Sequence, residues 1–218
     1  MKKLLLSCML LFSTLGFNQV TIAAPQLGQE FDAVTQTIPT DDPKKIEVME
    51  IFWYGCSHCF QMEQPLNAWL KNKPADVNFK RIPGIPNASW APMAQVYFTM
   101  ESLGITDKLH SKLFHAIHKE KSLNPSNQKA ALDWLVTNSG MDRNKVEEAF
   151  NSFTVNTNMK RAAQIFRSSG ATGVPSLVID GKYITSGTMA GGNAQALQVT
   201  DYILNNIRDT KGKDTAKK

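Results

Sequence analysis

Cysteine is scarce in this sequence. Only three of the 218 residues are cysteines, and two of them, Cys56 and Cys59, are separated by just two positions. Small secreted domains that are held together by disulfides carry a much higher cysteine content. The sequence therefore excludes a disulfide-stapled scaffold. The third residue, Cys8, lies in an amino-terminal segment of different character, so the close pair stands alone and indicates function rather than structural support.

Strong charge, internal repeats and low-complexity segments are also missing. The formal net charge is +5, a mild positive balance that does not indicate a nucleic-acid partner. A chain of this length can bury one good core and a second small subdomain. These features are typical of a globular protein rather than of a disordered or fibrous one.

The main apolar run of the sequence lies near its amino terminus and predicts a secretory signal peptide at residues 1–24. Lys2 and Lys3 form its basic start, residues 4–17 are mostly apolar, and residues 21–24 offer small side chains for cleavage. A membrane anchor is the alternative, but the run is short for a membrane span. We expect export to the periplasm, a compartment that permits disulfides.

The cysteine pair follows a predicted strand and begins a predicted helix. Residues 47–54 are apolar, rich in aromatic side chains and bounded by Gly55, a pattern that favours a buried strand. Apolar residues then recur at helical spacing. They are Cys59, Met62, Leu66, Trp69 and Leu70. Cys56 is therefore expected at the helix amino terminus.

That position predicts different chemistry for the two thiols. Unpaired backbone N–H groups and the helix dipole stabilise a Cys56 thiolate, and His58 can add a positive charge or a hydrogen bond. Cys59 lies on the apolar stripe and should be less exposed. We expect Cys56 to be the attacking thiol and Cys59 the resolving thiol. A stabilised thiolate also makes the disulfide oxidising.

Two other readings of the pair remain open. A structural disulfide across so small a loop would contribute little stability. The second alternative is that the pair forms half of a metal site, but no sequence feature brings His115 and His118 to the cysteines. We interpret His110, His115 and His118 as ordinary helix-surface or boundary residues, and we expect no metal.

The strand, the Cys56-Ser57-His58-Cys59 motif and the helix resemble the DsbA family of thiol:disulfide oxidoreductases, which have a thioredoxin-type fold. The family is characterised by a strongly lowered thiol pKa and an oxidising disulfide, so the resemblance implies both for Cys56. The family usually has proline where this chain has Ser57. Serine loses the rigidity of a first-turn proline but restores an N–H and adds a hydroxyl, so its effects on the redox potential oppose each other.

The resemblance also implies the domain organisation. We expect an α/β, thioredoxin-like domain at residues 25–86 and 166–210, interrupted by an all-helical domain at residues 87–165, where helical patterns dominate. Residues 211–218 are lysine-rich and are interpreted as a basic disordered tail.

Local signals mark several element ends. Thr106 and Asp142 are expected to cap helices, Ser126 to start one, Gly170 to end one, and Asp180-Gly181 to form a hairpin turn.

Further site residues follow from the resemblance. Pro175 matches the proline that is cis and faces the cysteine pair in this superfamily, and Val174 before it would pair with an extended substrate peptide through its backbone. Four side chains are candidates for an apolar groove around the cysteines, with plain core packing as the alternative for each. They are Trp53, Trp90, Met93 and Met189.

Glu50 interrupts the predicted central strand, and a carboxylate there is costly unless it is paired. Arg81 lies on one face of the following predicted strand. We expect the two to approach each other beneath the active site, where they could tune the cysteines and relay protons. The alternative places Glu50 at a solvated edge and Arg81 on the surface.

The resemblance implies a monomeric dithiol oxidase that donates the Cys56–Cys59 disulfide to reduced exported polypeptides. It would need no metal or organic cofactor and would be reoxidised by a quinone-linked membrane partner of the DsbB type. A disulfide isomerase or reductase of the DsbC or DsbG type is the nearest alternative, although the segment between Ala24 and Glu47 is short for a dimerisation domain. A non-catalytic periplasmic chaperone is another.

Overall fold

The computed structural model describes residues 23–215, and the predicted signal peptide lies outside this range except for Ala23 and Ala24. The described strands are β1 (Phe31–Ala33), β2 (Ile46–Phe52), β3 (Val77–Pro83), β4 (Ser176–Ile179) and β5 (Tyr183–Ser186). The helices are α1 (Ser57–Asn72), α2 (Ala91–Ser102), α3 (Thr106–His118), α4 (Gln128–Ser139), α5 (Arg143–Phe150), α6 (Phe153–Ser169), α7 (Gly187–Ala190) and α8 (Asn193–Thr215). No helix within residues 23–215 has both the length and the apolar character needed to cross a membrane.

The five strands form one mixed sheet in the order β1-β5-β4-β2-β3. Strand β2 runs parallel to β3 and antiparallel to β4, and every residue of β2 is buried. A strand covered on both faces is expected to be apolar along its length, so the two glutamates within β2 each require a partner. The register places Glu50 directly opposite Arg81.

The sheet is covered on both faces by helices. On one face, Val48 packs in a cluster with Leu66 of α1 and Leu204 of α8. On the other, Met49 and Ile51 belong to a larger cluster that includes residues from α2 to α6. The helical segment therefore shares a continuous core with the sheet, and α6 crosses the boundary predicted between residues 165 and 166.

Most of the local signals match the structure. Asp142 caps α5 through its carboxylate, and Gly170 ends α6 with a positive φ. The Asp180-Gly181 turn has positive φ at both residues, the geometry that this pair favours between antiparallel strands.

Three of the predicted details are wrong. Helix α3 does begin at Thr106, but its cap is Ile105, which supplies no side-chain bond. Helix α4 begins at Gln128, with Asn127 as its cap, rather than at Ser126. Helix α8 continues to Thr215, into the segment predicted to be a disordered tail, because extending an established helix avoids the cost of nucleating a new one.

Candidate active site

Cys56 lies at the junction between the central strand and α1. A turn from Trp53 to Cys56 is closed by the Cys56 N–H, which donates to the Trp53 carbonyl at 3.0 Å. Cys56 is the cap residue of α1, and its sulfur accepts a hydrogen bond from the Cys59 N–H at 3.4 Å. The sulfur therefore sits where the backbone N–H groups of the first helical turn converge.

The two thiols, both free in the structure, differ strongly in acidity. The pKa of Cys56 is lowered to about 6, mainly by a hydrogen bond from the Cys59 side chain, against the opposing effect of burial. The backbone N–H groups of Cys59 and His58 and the charge of His58 lower it further. Burial raises the pKa of Cys59 well above its usual value. At neutral pH about nine-tenths of Cys56 is therefore thiolate, while Cys59 keeps its proton.

The loop at Val174 and Pro175 faces the reactive sulfur. The peptide bond between these residues is cis, and in its thiol form Cys56 donates to the Val174 carbonyl at 3.3 Å. Cys56 and Val174 are 118 positions apart in the sequence. The fold thus brings an open backbone segment against the cysteine pair.

A cleft of about 520 Å³ opens beside this loop. Its lining includes His58, Pro175 and Met189, and most of the other lining side chains are small or polar. They are Gln61, Thr172, Gly173, Val174, Ser176, Ser186, Gly187, Thr188, Gly192 and Asn193. The cleft is consequently more polar than the predicted groove, and among the described residues that line it only His58 has a titratable side chain.

Only one of the four predicted groove residues, Met189, lines this cleft. Met93 is fully buried in the core, so its assignment to a groove is wrong. Helix α2 packs against α3, α4, α5 and α6 as well as β3, which leaves its central residues no solvent-facing side. Trp53 and Trp90 lie outside the cleft lining and stack on each other at 4.3 Å between ring centroids.

Gly55 is required by the same aromatic stack. A Cβ atom at this position would clash with the Trp53 ring. The indole therefore folds over the turn that carries Cys56. The missing side chain also leaves the Tyr54–Gly55 peptide free to rotate unless something else holds it.

Beneath the cysteines, Arg81 binds two buried carboxylates. Its Nε donates to Glu50 at 3.0 Å and its Nη2 donates to Glu63 at 3.2 Å. Burial raises the pKa of Glu50 to about 7, although Arg81 opposes this shift. Burial acts on Glu63 in the same direction, but His110 and Arg81 outweigh it and lower the pKa. The predicted pair is therefore part of a larger charged cluster, and Glu50 is neither solvated nor at an edge.

Comparison with known proteins agrees with this geometry. The model of the DSBA-like thioredoxin domain family matches residues 76–203. The thiol:disulfide interchange protein DsbA of Burkholderia cepacia is 34% identical over 213 residues, spanning 97% of this chain and 100% of that protein. The DsbA of Bordetella parapertussis is 37% identical over 201 residues, spanning 92% and 94%. The crystal structure of Pseudomonas aeruginosa DsbA matches with a TM-score of 0.79 at 33% identity, covering 86% of this chain and 97% of that one.

The chain belongs to the DsbA family. It is accordingly a thiol:disulfide oxidoreductase on a thioredoxin-like fold. The helical segment between β3 and β4 is part of that fold.

Four residues around this DsbA-type centre were missed by the sequence analysis. They are Tyr54, Glu63, His110 and His118. Glu63 had a usable signal, because it lies four positions after Cys59 and so falls on the buried stripe of α1. His110 is buried, so its interpretation as a surface or boundary residue is wrong, whereas His118 is half-buried, as expected for a boundary residue. Both contact Tyr54, at 2.6 Å and 2.7 Å. No sequence pattern indicated those contacts.

Ser57 and His58, the two residues between the cysteines, are exposed. Ser57 is the first residue of α1, and no hydrogen bond joins its hydroxyl to Cys56 within the described residues. The carbonyl of His58 accepts a hydrogen bond from Asn193 at 3.0 Å, which ties the first turn of α1 to the start of α8. Within residues 23–215, no group of three or more His, Cys, Asp or Glu side chains is arranged to hold a metal ion.

Proposed function

We propose that this DsbA-family protein is a periplasmic dithiol oxidase that donates its Cys56–Cys59 disulfide to reduced, newly exported polypeptides. The observation that carries the proposal is the asymmetry of the pair. Cys56 is partly open, with a pKa of about 6, whereas Cys59 is buried and its pKa is raised. A thiol of low pKa is a good leaving group, and its stabilised thiolate favours the reduced form of the donor.

Exchange proceeds in two displacements. A substrate thiolate attacks the Cys56 sulfur, a substrate–Cys56 bond forms, and the Cys56–Cys59 bond breaks to release Cys59. The second substrate thiolate then attacks the substrate sulfur of this mixed disulfide and releases Cys56 as a thiolate. The substrate loses two electrons and becomes a disulfide, while the enzyme gains them as a dithiol.

The surrounding residues support these steps. His58 and the first-turn N–H groups stabilise the Cys56 thiolate, and the backbone at Val174, beside Pro175, pairs with an extended substrate segment. Glu50 has a pKa near neutrality, and its charge contributes to the raised pKa of Cys59. Glu50 is therefore suited to supply a proton to the departing Cys59, and Arg81 holds its carboxylate in place.

The same proposal covers partners and location. The signal at residues 1–24 directs the chain to the periplasm, where it acts as a monomer. A quinone-linked membrane oxidase of the DsbB type restores the disulfide. All electrons pass between sulfur atoms, so the exchange itself requires no metal or organic cofactor.

Oxidation of a reduced two-cysteine peptide tests the function. The oxidised protein should convert the peptide to its disulfide stoichiometrically, and a quinone-linked partner should make the reaction catalytic. Cys56→Ser should abolish both. If the protein reshuffles or reduces disulfides but does not oxidise the peptide, the isomerase or reductase alternative holds. If suppression of aggregation survives Cys56→Ser and no oxidation occurs, the chaperone alternative holds.

A further inference from the structure

Tyr54, two residues before Cys56, is held at both ends by helix α3. Its hydroxyl lies 2.6 Å from Nδ1 of His110, and its backbone carbonyl lies 2.7 Å from Nε2 of His118. Both histidines belong to α3, within the helical segment inserted between β3 and β4. One helix of the insertion therefore contacts both the side chain and the backbone of the active-site turn.

The partners determine the direction of each bond. A carbonyl oxygen only accepts, so Nε2 of His118 carries the proton that it donates to Tyr54. Nε2 of His110 faces the Glu63 carboxylate, so this nitrogen carries the proton of the neutral ring and Nδ1 accepts a hydrogen bond from the Tyr54 hydroxyl. The same Nε2 lies 3.2 Å from Glu63, which binds Arg81. The phenol end of Tyr54 is thus linked to the buried charged cluster.

The orientation of His118 is fixed from the active-site helix. Its ring stacks on Phe60 of α1 at 5.2 Å between centroids, with an angle of only 9° between the planes. The Phe60 N–H in turn donates to the Cys56 carbonyl at 3.1 Å. The first turn of α1, which begins at Cys56, therefore also positions the ring of His118.

The turn needs such an anchor because of Gly55. With no Cβ at that position, the Tyr54–Gly55 peptide has wide conformational freedom, and its rotation would carry the following residue, Cys56. The bond from His118 to the Tyr54 carbonyl opposes this rotation, together with the bond from the Cys56 N–H to the Trp53 carbonyl. The thiolate depends on the position of the sulfur, since it accepts a hydrogen bond from the Cys59 N–H at 3.4 Å.

We propose that His118 and His110 are positioning residues that clamp Tyr54, and with it the Trp53–Cys56 turn, so that the Cys56 sulfur stays within reach of the Cys59 N–H that stabilises its thiolate. The inference rests on the proposed exchange chemistry at Cys56. It assigns the helical segment a part in setting the reactivity of the thiolate, in addition to covering the sheet.

A pair of variants of similar shape tests the clamp. His118→Gln keeps an N–H donor that can reach the Tyr54 carbonyl, whereas His118→Met has similar length and no donor. The ultraviolet absorbance of the thiolate gives the pKa of Cys56 in each reduced variant. We expect His118→Gln to match the wild type and His118→Met to raise the pKa by about one unit, which shifts the glutathione equilibrium about tenfold toward the retained disulfide when measured near pH 8.

His115→Gln and His115→Met are the matched controls. His115 is exposed on the same helix, contacts the edge of Phe60 and makes no hydrogen bond to the turn. Both controls should keep the wild-type pKa of Cys56. Tyr54→Phe tests the second arm by removing only the hydroxyl that faces His110, and we expect a smaller rise in the same direction.

The outcomes separate the clamp from the proposed function. A wild-type pKa and glutathione equilibrium in His118→Met overturns the clamp, even if that variant unfolds at lower denaturant concentration. An equal change in His118→Gln and His118→Met also overturns it, since the donor would then be irrelevant. Should His118→Met fail to fold, a changed pKa in Tyr54→Phe supports the clamp and an unchanged one refutes it. Failure of the wild type to oxidise the reduced peptide contradicts the proposed function instead.

Discussion

The two sides of Cys56 are built differently. On the cleft side, the sulfur meets backbone groups, the Val174 carbonyl and the Cys59 N–H, beside a cleft whose described lining has a single titratable side chain. On the buried side, Arg81 binds the carboxylates of Glu50 and Glu63. Backbone contacts persist through most substitutions, whereas two buried carboxylates are strongly destabilising once the cation that they share is removed. The cleft side should therefore control reactivity, and the buried side should control stability and its pH dependence.

Removing the sulfur of either cysteine should have the largest effect on the exchange reaction. Cys56→Ser should abolish oxidation of a reduced peptide, because no sulfur remains to form the mixed disulfide. Cys59→Ser should instead accumulate a mixed disulfide at Cys56 when oxidised glutathione is added, because Cys56 attacks it, one glutathione leaves as a thiolate, and no Cys59 thiol remains to displace the bound one. Mass spectrometry of the trapped species distinguishes the two. An adduct on Cys59 in the Cys56→Ser variant would contradict the assigned order of attack.

Removing Arg81, the cation shared by the two buried carboxylates, should destabilise the protein. Arg81→Met leaves Glu50 and Glu63 without their common partner, and the free energy of unfolding should fall by about 3–5 kcal/mol. Denaturant titration measures this loss. Lys129→Met, which removes an exposed ion pair with Asp133, is the matched control and should leave stability close to that of the wild type. Equal losses in the two variants would show that the buried cluster has no special role.

The two carboxylates should respond to pH with opposite sign. The pKa of Glu50 rises from 4.5 to about 7 on folding, so the folded chain binds the extra proton and stability falls as the pH rises through that window. Glu50→Gln should remove this fall and gain about 1–3 kcal/mol near pH 8 relative to the wild type. Glu63 has a lowered pKa, so its contribution is present at neutral pH and is lost as the solution is acidified.

Glu63→Gln should accordingly destabilise the protein at neutral pH and have less effect in acid. Denaturant titrations of both variants across this pH range measure the slopes. Parallel pH profiles for the two variants would contradict the assignment of opposite shifts.

The smallest effect is expected at Ser57. Its hydroxyl makes no bond to Cys56 among the described residues, and proline is favoured at the first position of a helix. Ser57→Pro should therefore shift the potential toward more oxidising, by less than about 30 mV, the equivalent of one pKa unit. Glutathione equilibration measures the shift. An unchanged or more reducing potential would oppose this prediction.

The parts of the centre that were predictable from the sequence are those governed by neighbours along the chain. The apolar run, Gly55 and the helical stripe behind Cys59 placed Cys56 at a helix start, because backbone geometry at a strand-to-helix junction depends on adjacent residues. Glu50 was predictable for a similar reason, since a carboxylate within an apolar strand needs a partner. The cis proline and the helical insertion came instead from the resemblance to a known family.

The parts that were not predictable depend on packing between distant segments. Met93 matched a groove by its apolar character, but α2 is surrounded by neighbours and buries it. His110 and His118 looked like surface or boundary residues because a helical pattern does not reveal what the helix packs against. Their contacts to Tyr54 span 56 and 64 positions.

The amino-acid sequence by itself determined where the reactive sulfur lies and which of the two cysteines is exposed, because the first turn of a helix offers N–H groups to its cap residue and its apolar stripe faces inward. The tertiary structure alone decided what surrounds that sulfur. Val174 from one side and the α3 histidines from the other reach the turn only after the helices have packed on the sheet, since such contacts depend on the relative placement of elements rather than on their local sequences.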